Sequence, residues 1–201
     1  ERDEAKLDKI MDIPLSEIDS FPDHPFQVRD DDAMRETVES IKEYGVLVPA
    51  IVRPREEGGY EIVSGHRRKH ACELAGLDTM PVIVRNIDRD TAIIYMCDSN
   101  LQRENILPSE RAAAYKMKLE AIKRQGARHD LTSGQVVPKS EENRAREIIA
   151  DTTGESGRQV QRYIRLTELE PELQQMVDEK KIAMTPAVEI SYLKPTEQRL
   201  L

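Results

Sequence analysis

Gly65-His66-Arg67-Arg68-Lys69-His70-Ala71 follows an alternating apolar run, Tyr60-Glu61-Ile62-Val63-Ser64, and opens an amphipathic one, Ala71-Cys72-Glu73-Leu74-Ala75. That order is strand, glycine turn, helix start. A glycine there lets the backbone approach a ligand closely, and the free N–H groups of a helix N-terminus favour an anion. Arg67 and Arg68 in the same first turn oppose the helix dipole, which prefers acidic side chains at that end. The pair is self-repelling when empty and comfortable once a phosphate arrives; the plainer alternative is a basic helix start with its charges in water.

Working outward, the first half alternates strands and helices. Ile13-Pro14-Leu15 with Ile18 reads as one short edge strand, followed by a loop stiffened by Pro22 and Pro25. Asp31 or Asp32 caps a helix to Tyr44 that carries Met34, Val38 and Ile41 on one face, with Gly45 as its stop. Pro49 to Arg53 is a buried strand, and Glu56-Glu57-Gly58-Gly59 a hairpin turn into Tyr60 to Val63. The helix after Gly65 ends at Gly76. Met80 to Val84 is another strand, and Asp88 to about Leu101 another helix.

From Pro108 onward the pattern is wholly helical. A helix runs from Pro108 to about Arg124, and the polar stretch Gln125 to Glu142 reads as a long loop. Four short helices follow: Arg144 to Asp151, Gly157 to Leu166, Pro171 to about Lys180, and Pro186 to Leu193. The shift from mixed to all-helical places a domain boundary near Leu107, giving domains 1–107 and 108–201. The fold class is α+β, with a small mixed-sheet domain followed by an all-α one.

Composition excludes several classes. The 201 residues are 34% charged and 38% hydrophobic with no Trp, so the core is mostly aliphatic. No apolar run reaches membrane-span length, and no signal-peptide pattern opens the sequence. Cys72 and Cys97 are isolated, His70 and His129 lack metal spacing, and a reducing cytoplasm is the expected setting. The net charge of −8 argues against indiscriminate coating of nucleic acid and leaves room for a local basic face.

Such a face occurs at residues 144–166. Two short helices joined by Thr152-Thr153-Gly154-Glu155-Ser156 suit a helix-turn-helix. In the second helix Val160, Leu166 and either Tyr163 or Ile164 turn inward. Arg158, Gln159, Gln161, Arg162 and Arg165 then face outward, all donors able to reach phosphates or base edges, and Ser156 stands at the helix start. No acidic residue interrupts this helix. Gln159, Gln161 and Arg162 are candidates for base readout, Arg158 and Arg165 for the backbone. An ordinary helical hairpin with a solvated arginine face is the alternative. Glu110, Arg111, Lys116, Lys118 and Glu120 read as another solvated face with i,i+4 pairs, and Tyr192 and Leu193 as packing for the last helix.

With both halves read, the chain resembles the ParB family of DNA-partition proteins. His24-Pro25-Phe26-Gln27-Val28-Arg29 resembles the family's Asn-Pro-Tyr-Gln-Pro-Arg element. Gly45-Val46-Leu47-Val48-Pro49-Ala50-Ile51-Val52-Arg53 resembles its Gly-Val/Ile-x-Gln-Pro-Ile-x-Val-Arg box, and Gly65-His66-Arg67-Arg68 its Gly-Glu-Arg-Arg box. Asn100-Leu101-Gln102-Arg103-Glu104 resembles its Glu-Asn-Leu-Gln-Arg-Glu box, and Ile182-Ala183-Met184-Thr185 follows the helix-turn-helix as it does there. The resemblance implies a ParB/sulfiredoxin-like first domain and a homodimeric, CTP-dependent clamp on double-stranded DNA at a palindromic centromere-like site. A ParA-type ATPase would act through a segment outside this sequence. Gly65, His66, Arg67 and Arg68 would cradle the triphosphate, with Gly45, Val46 and Leu47 on the cytosine side. Gln27, Ser99, Asn100 and Arg103 would complete the nucleotide set, Asn100 as the Mg²⁺ ligand.

Three departures stand out. His66 replaces the usual Glu, Val48 the usual Gln, and Ser99 stands where the family has the Glu of its metal-binding pair, a hard oxygen ligand that a hydroxyl matches poorly. Asp98, one position earlier, would substitute only if the helix rotates. Weak CTP hydrolysis at most follows, and a divergent branch from plasmids or mobile elements fits. Two other readings use the same first domain: a small-molecule kinase, which lacks its carboxylate base here, and a nucleotide-independent transcriptional regulator. Sulfiredoxin chemistry is excluded because Gly65 stands in place of the reactive Cys.

Overall fold

The computed structural model describes residues 9–103, 105–133 and 141–201, the side chains of 127–133 and 141–142 excepted. The chain divides into two compact units, the first ending at Met96 and the second starting at Cys97.

The first unit is built on a five-stranded mixed sheet in the order β1-β5-β3-β4-β2. Its strands are β1 (Ile10–Pro14), β2 (Ile18–Asp19), β3 (Ala50–Pro54), β4 (Tyr60–Ser64) and β5 (Thr79–Val84). β1–β5 and β3–β4 pair antiparallel, β3–β5 and β2–β4 parallel. The expected single edge strand around Ile13 to Ile18 is therefore two strands on opposite edges. A 3₁₀ turn at Leu15–Glu17 separates them.

Helix α1 (Asp32–Tyr44) starts where Asp31 Oδ1 accepts the Met34 N–H at 2.8 Å, and stops at Gly45, whose φ of 73° terminates it. Met34, Val38 and Ile41 are buried with Val52, Ile62, Met80, Val82 and Cys72, the last on α2 (His66–Ala75). The sequence-read face of α1 is the observed one. α3 spans Arg89–Leu101, and the division between units falls within it.

The second unit is helical: α4 (Pro108–Ser133), α5 (Glu141–Thr153), α6 (Gly157–Arg165), α7 (Pro171–Asp178), α8 (Met184–Ile190) and a final turn α9 (Pro195–Gln198). α4 runs nine residues beyond the expected Arg124, so much of the expected loop from Gln125 is helix. The rest of that stretch, residues 134–140, lies outside the described residues, as do Glu104 and the His129 side chain. No sequence signal marked this extension: Gly126 sits inside the helix against a propensity cost of about 1 kcal/mol. Tyr115 and Leu119 of α4 pack with Ala145 and Ile149 of α5 and Val160 of α6. Tyr163 packs against this cluster and also against that of Leu166, Leu173 and Val188, while Ile164 joins the first. Both alternatives for the inward position are thus used.

The expected solvated face on α4 is not one. Lys118 is 1% exposed. Its ammonium donates to Asp98 Oδ1 at 2.5 Å and to Thr152 Oγ1 at 2.7 Å. Glu110 accepts the Leu107 N–H, Arg111 pairs with Glu155, and Lys116 with Glu168. Glu120 does have an expected i,i+4 partner, Arg124 at 3.9 Å. Among the described residues no helix is long and apolar enough to cross a membrane.

Candidate functional site

The strand–turn–helix expected at Gly65 is present. Gly65 links β4 to α2 at φ 113°, ψ 21°. A Cβ there would lie 2.8 Å from the Ala50 Cβ and 3.3 Å from the Arg68 guanidinium carbon, so the turn admits glycine only. The α2 N-terminus has no side-chain cap, which leaves its N–H groups without the usual internal acceptor from the cap position.

The cations of this turn are already engaged. Arg67 Nη2 donates to Asp31 Oδ1 at 3.2 Å, and that guanidinium, with the Met34 N–H, holds the Asp31 carboxyl below the usual carboxylate range. Arg68 Nη1 donates to the carbonyls of Val48 and Pro49 at 2.6 and 2.7 Å, fastening the loop after Gly45 to the turn. The His66 ring stacks on His24, with centroids 3.6 Å apart. The expected self-repulsion is therefore relieved within the fold, Arg67 by Asp31 and Arg68 by the Val48 and Pro49 carbonyls.

Around the turn, Gly45 is the C-cap of α1, Val46 packs against the core, and Leu47 is 75% exposed. Gln27 is exposed, one residue after the buried Phe26. A cavity of about 150 Å³ opens between Ser20, Val28, His66, Lys69, His70 and Glu73. That is below the roughly 300 Å³ of a small-molecule site, too small for a whole nucleotide, and its lining mixes the cationic Lys69 with the Glu73 carboxylate.

Ser99, Asn100 and Arg103 belong to the second unit. Ser99 is exposed and Asn100 is 6% exposed, its amide donating to Ser99 Oγ at 3.4 Å. Asp98, the alternative carboxylate, is directed to Lys118. Among the described residues no three His, Cys, Asp or Glu side chains come together as metal ligands. One amide oxygen and a hydroxyl fit an octahedral Mg²⁺ poorly.

In the second unit, Gly154 at φ 70° turns the chain between α5 and α6, and Ser156 Oγ accepts the Gln159 N–H at 3.2 Å, capping α6. The cap is Ser156's structural task. α6 lays its polar side along a groove of about 720 Å³ shared with α5 and α8, lined by Arg146, Arg158, Gln161, Arg162, Arg165 and Tyr192 among others. Arg158 is exposed. Arg162 is held by Gln159 Oε1 at 3.3 Å and Thr185 Oγ1 at 2.8 Å. Arg165 donates to the Ser191 carbonyl and to its Oγ, and stacks on the Tyr192 ring at 4.1 Å. Tyr192 is thus no core residue: it is 66% exposed beneath this guanidinium. Arg146 and Thr185 were missed as site residues, because α5 and α8 show no charge asymmetry of their own in the sequence.

The chain matches the ParB N-terminal domain family over residues 1–101 and the ParB helix-turn-helix domain family over residues 139–201. It belongs to the ParB family. Stage 0 sporulation protein J of Bacillus subtilis is 34% identical over 87% of this chain and 55% of its own length. A probable chromosome-partitioning protein ParB of Neisseria meningitidis is 32% identical over 84% of this chain and 52% of its own. The chain thus spans about half the length of these ParB relatives. Among solved structures, the C-terminally truncated ParB of Caulobacter crescentus complexed to the centromeric parS site is 26% identical, with a TM-score of 0.55. That alignment covers 93% of this chain and 88% of the other.

Proposed function

We propose that this ParB-family chain is the nucleotide- and DNA-binding part of a partition clamp, in which two copies read a palindromic duplex site through α6 and the Gly65 turn takes CTP. The observation that carries the DNA reading is the groove along α6, where Arg158, Gln161 and Arg162 present donors; α6 itself carries no acid, and the groove's two glutamates, Glu147 and Glu189, come from α5 and α8. Support for the nucleotide reading is the glycine-only turn at an uncapped helix N-terminus, together with the family's motifs at Gly45 and Gly65.

Arg67 is the residue best placed to meet the triphosphate, since its present partner is an exposed carboxylate. Arg68 holds the Val48–Pro49 loop in place. Bound CTP would supply ligand-driven association of the first domains; hydrolysis is not part of the proposal, because Ser99 and Asn100 do not build a Mg²⁺ site.

Fluorescence anisotropy on a specific and a random duplex tests the DNA reading. Arg162→Ala weakens specific binding by about 1–3 kcal/mol and spares random DNA. Equal losses on both would demote Arg162 to a backbone contact. The internal engagement of Arg67 and Arg68 favours one second reading, a DNA-binding regulator that needs no nucleotide. Titration with CTP separates the two.

A further inference from the structure

We infer that Thr185, on the first turn of α8, is a positioning residue for DNA recognition, which holds the Arg162 guanidinium in the α6 groove before a duplex is bound. The inference rests on the DNA-binding reading above. Arg162 Nη2 donates to Thr185 Oγ1 at 2.8 Å and Arg162 Nη1 to Gln159 Oε1 at 3.3 Å, so one guanidinium is gripped from two different helices. Gln159 stands one turn earlier on α6 itself and moves with it. Thr185 holds the guanidinium from outside that helix, and by the shorter bond. Among the described residues no carboxylate pairs with Arg162, although Glu147 and Glu189 line the same groove.

The Thr185 hydroxyl makes no other hydrogen bond among the described residues, and α8 starts at Ala183 with no side-chain cap. Thr185 is exposed where it lines the groove. The second tie between α6 and α8 is of another kind: Arg165 is bound to Ser191, which is 3% exposed, so that tie belongs to the packing. A free arginine side chain has many rotamers, and ordering it on binding opposes affinity. Bracing removes much of that ordering from the binding step. A base edge accepts from fixed directions, whereas contacts with phosphates carry no sequence information, so a braced guanidinium favours base reading. Of the five guanidinium N–H groups two are used here, which leaves donors for a duplex.

The test is a double-variant cycle in the full chain, read by fluorescence anisotropy on a duplex that the wild type enriches from a randomised pool and on an unselected duplex of equal length. Thr185→Val keeps the side-chain shape and removes the acceptor; it should weaken the enriched duplex by about three- to tenfold and leave the unselected one within about twofold. Thr185→Ser keeps the hydroxyl and should bind as the wild type does. In an Arg162→Ala background Thr185→Val should add nothing, because the side chain it positions is gone. Unchanged affinity in Thr185→Val overturns the inference and leaves the role of Arg162 standing. A loss that persists in the Arg162→Ala background also overturns it, and makes Thr185 a DNA contact in its own right. Wild-type binding of the enriched duplex by Arg162→Ala removes the Arg162 reading, and failure to enrich any duplex removes the DNA reading; the inference falls with either.

Discussion

The Lys118 ammonium, 1% exposed, sits 2.5 Å from the Asp98 carboxylate, which is itself 37% exposed. Thr152 Oγ1 accepts a second hydrogen bond from it and donates onward to the Ile149 carbonyl. The two partners are asymmetric. Asp98→Ala strands a buried ammonium and should cost about 3–5 kcal/mol in chemical denaturation. Lys118→Met leaves a carboxylate that water can still reach, and should cost clearly less. Joint replacement, Lys118→Met with Asp98→Leu, should recover most of the loss. Equal single losses would contradict this burial asymmetry.

Gly65→Ala imposes two separable penalties. The left-handed backbone costs about 1–3 kcal/mol for a residue with a Cβ. The 2.8 Å approach to the Ala50 Cβ adds a clash of similar size. Ala50→Gly removes only the second. The double variant should therefore melt above the sum of the two single effects yet below wild type; strict additivity would show that the Ala50 contact is irrelevant.

Burial pushes the Cys97 thiol up to about 12, from 9.0, against the opposing pull of Lys118. The unfolded chain ionises this thiol first, so its contribution to stability is complete below about pH 9 and is lost as pH rises toward 12. Cys97→Ala should flatten that alkaline decline. Cys72 is also buried with a raised thiol, so neither cysteine should react with iodoacetamide at pH 8 until denaturant is added.

How much of this was legible in the sequence depends on how local its cause is. The Asp31 cap, the Gly45 stop and the Gly65 turn are set within a few residues, and each stands where the pattern put it. Misreadings concern charges with distant partners. Lys118 looks like a solvated lysine because nothing near it in sequence reveals Asp98, 20 positions away, or Thr152, 34 away. Arg67 and Arg68 look crowded because Asp31 and the Val48–Pro49 carbonyls are equally remote. The separation of β1 from β2 was hidden for a related reason, since strand order is a property of pairing and not of alternation. Ser156, by contrast, was placed correctly at the helix start, where its hydroxyl caps α6.

Isothermal titration of CTP, with ATP and GTP as controls, bears most directly on the nucleotide claim. CTP should bind the wild type and fail with Arg67→Ala, whose DNA affinity should stay near normal. Asp31→Asn, which keeps the α1 cap but withdraws the anion that competes for Arg67, should tighten CTP by about two- to fivefold. No heat with the wild type, or unchanged CTP affinity in Arg67→Ala, would contradict a triphosphate site at the Gly65 turn.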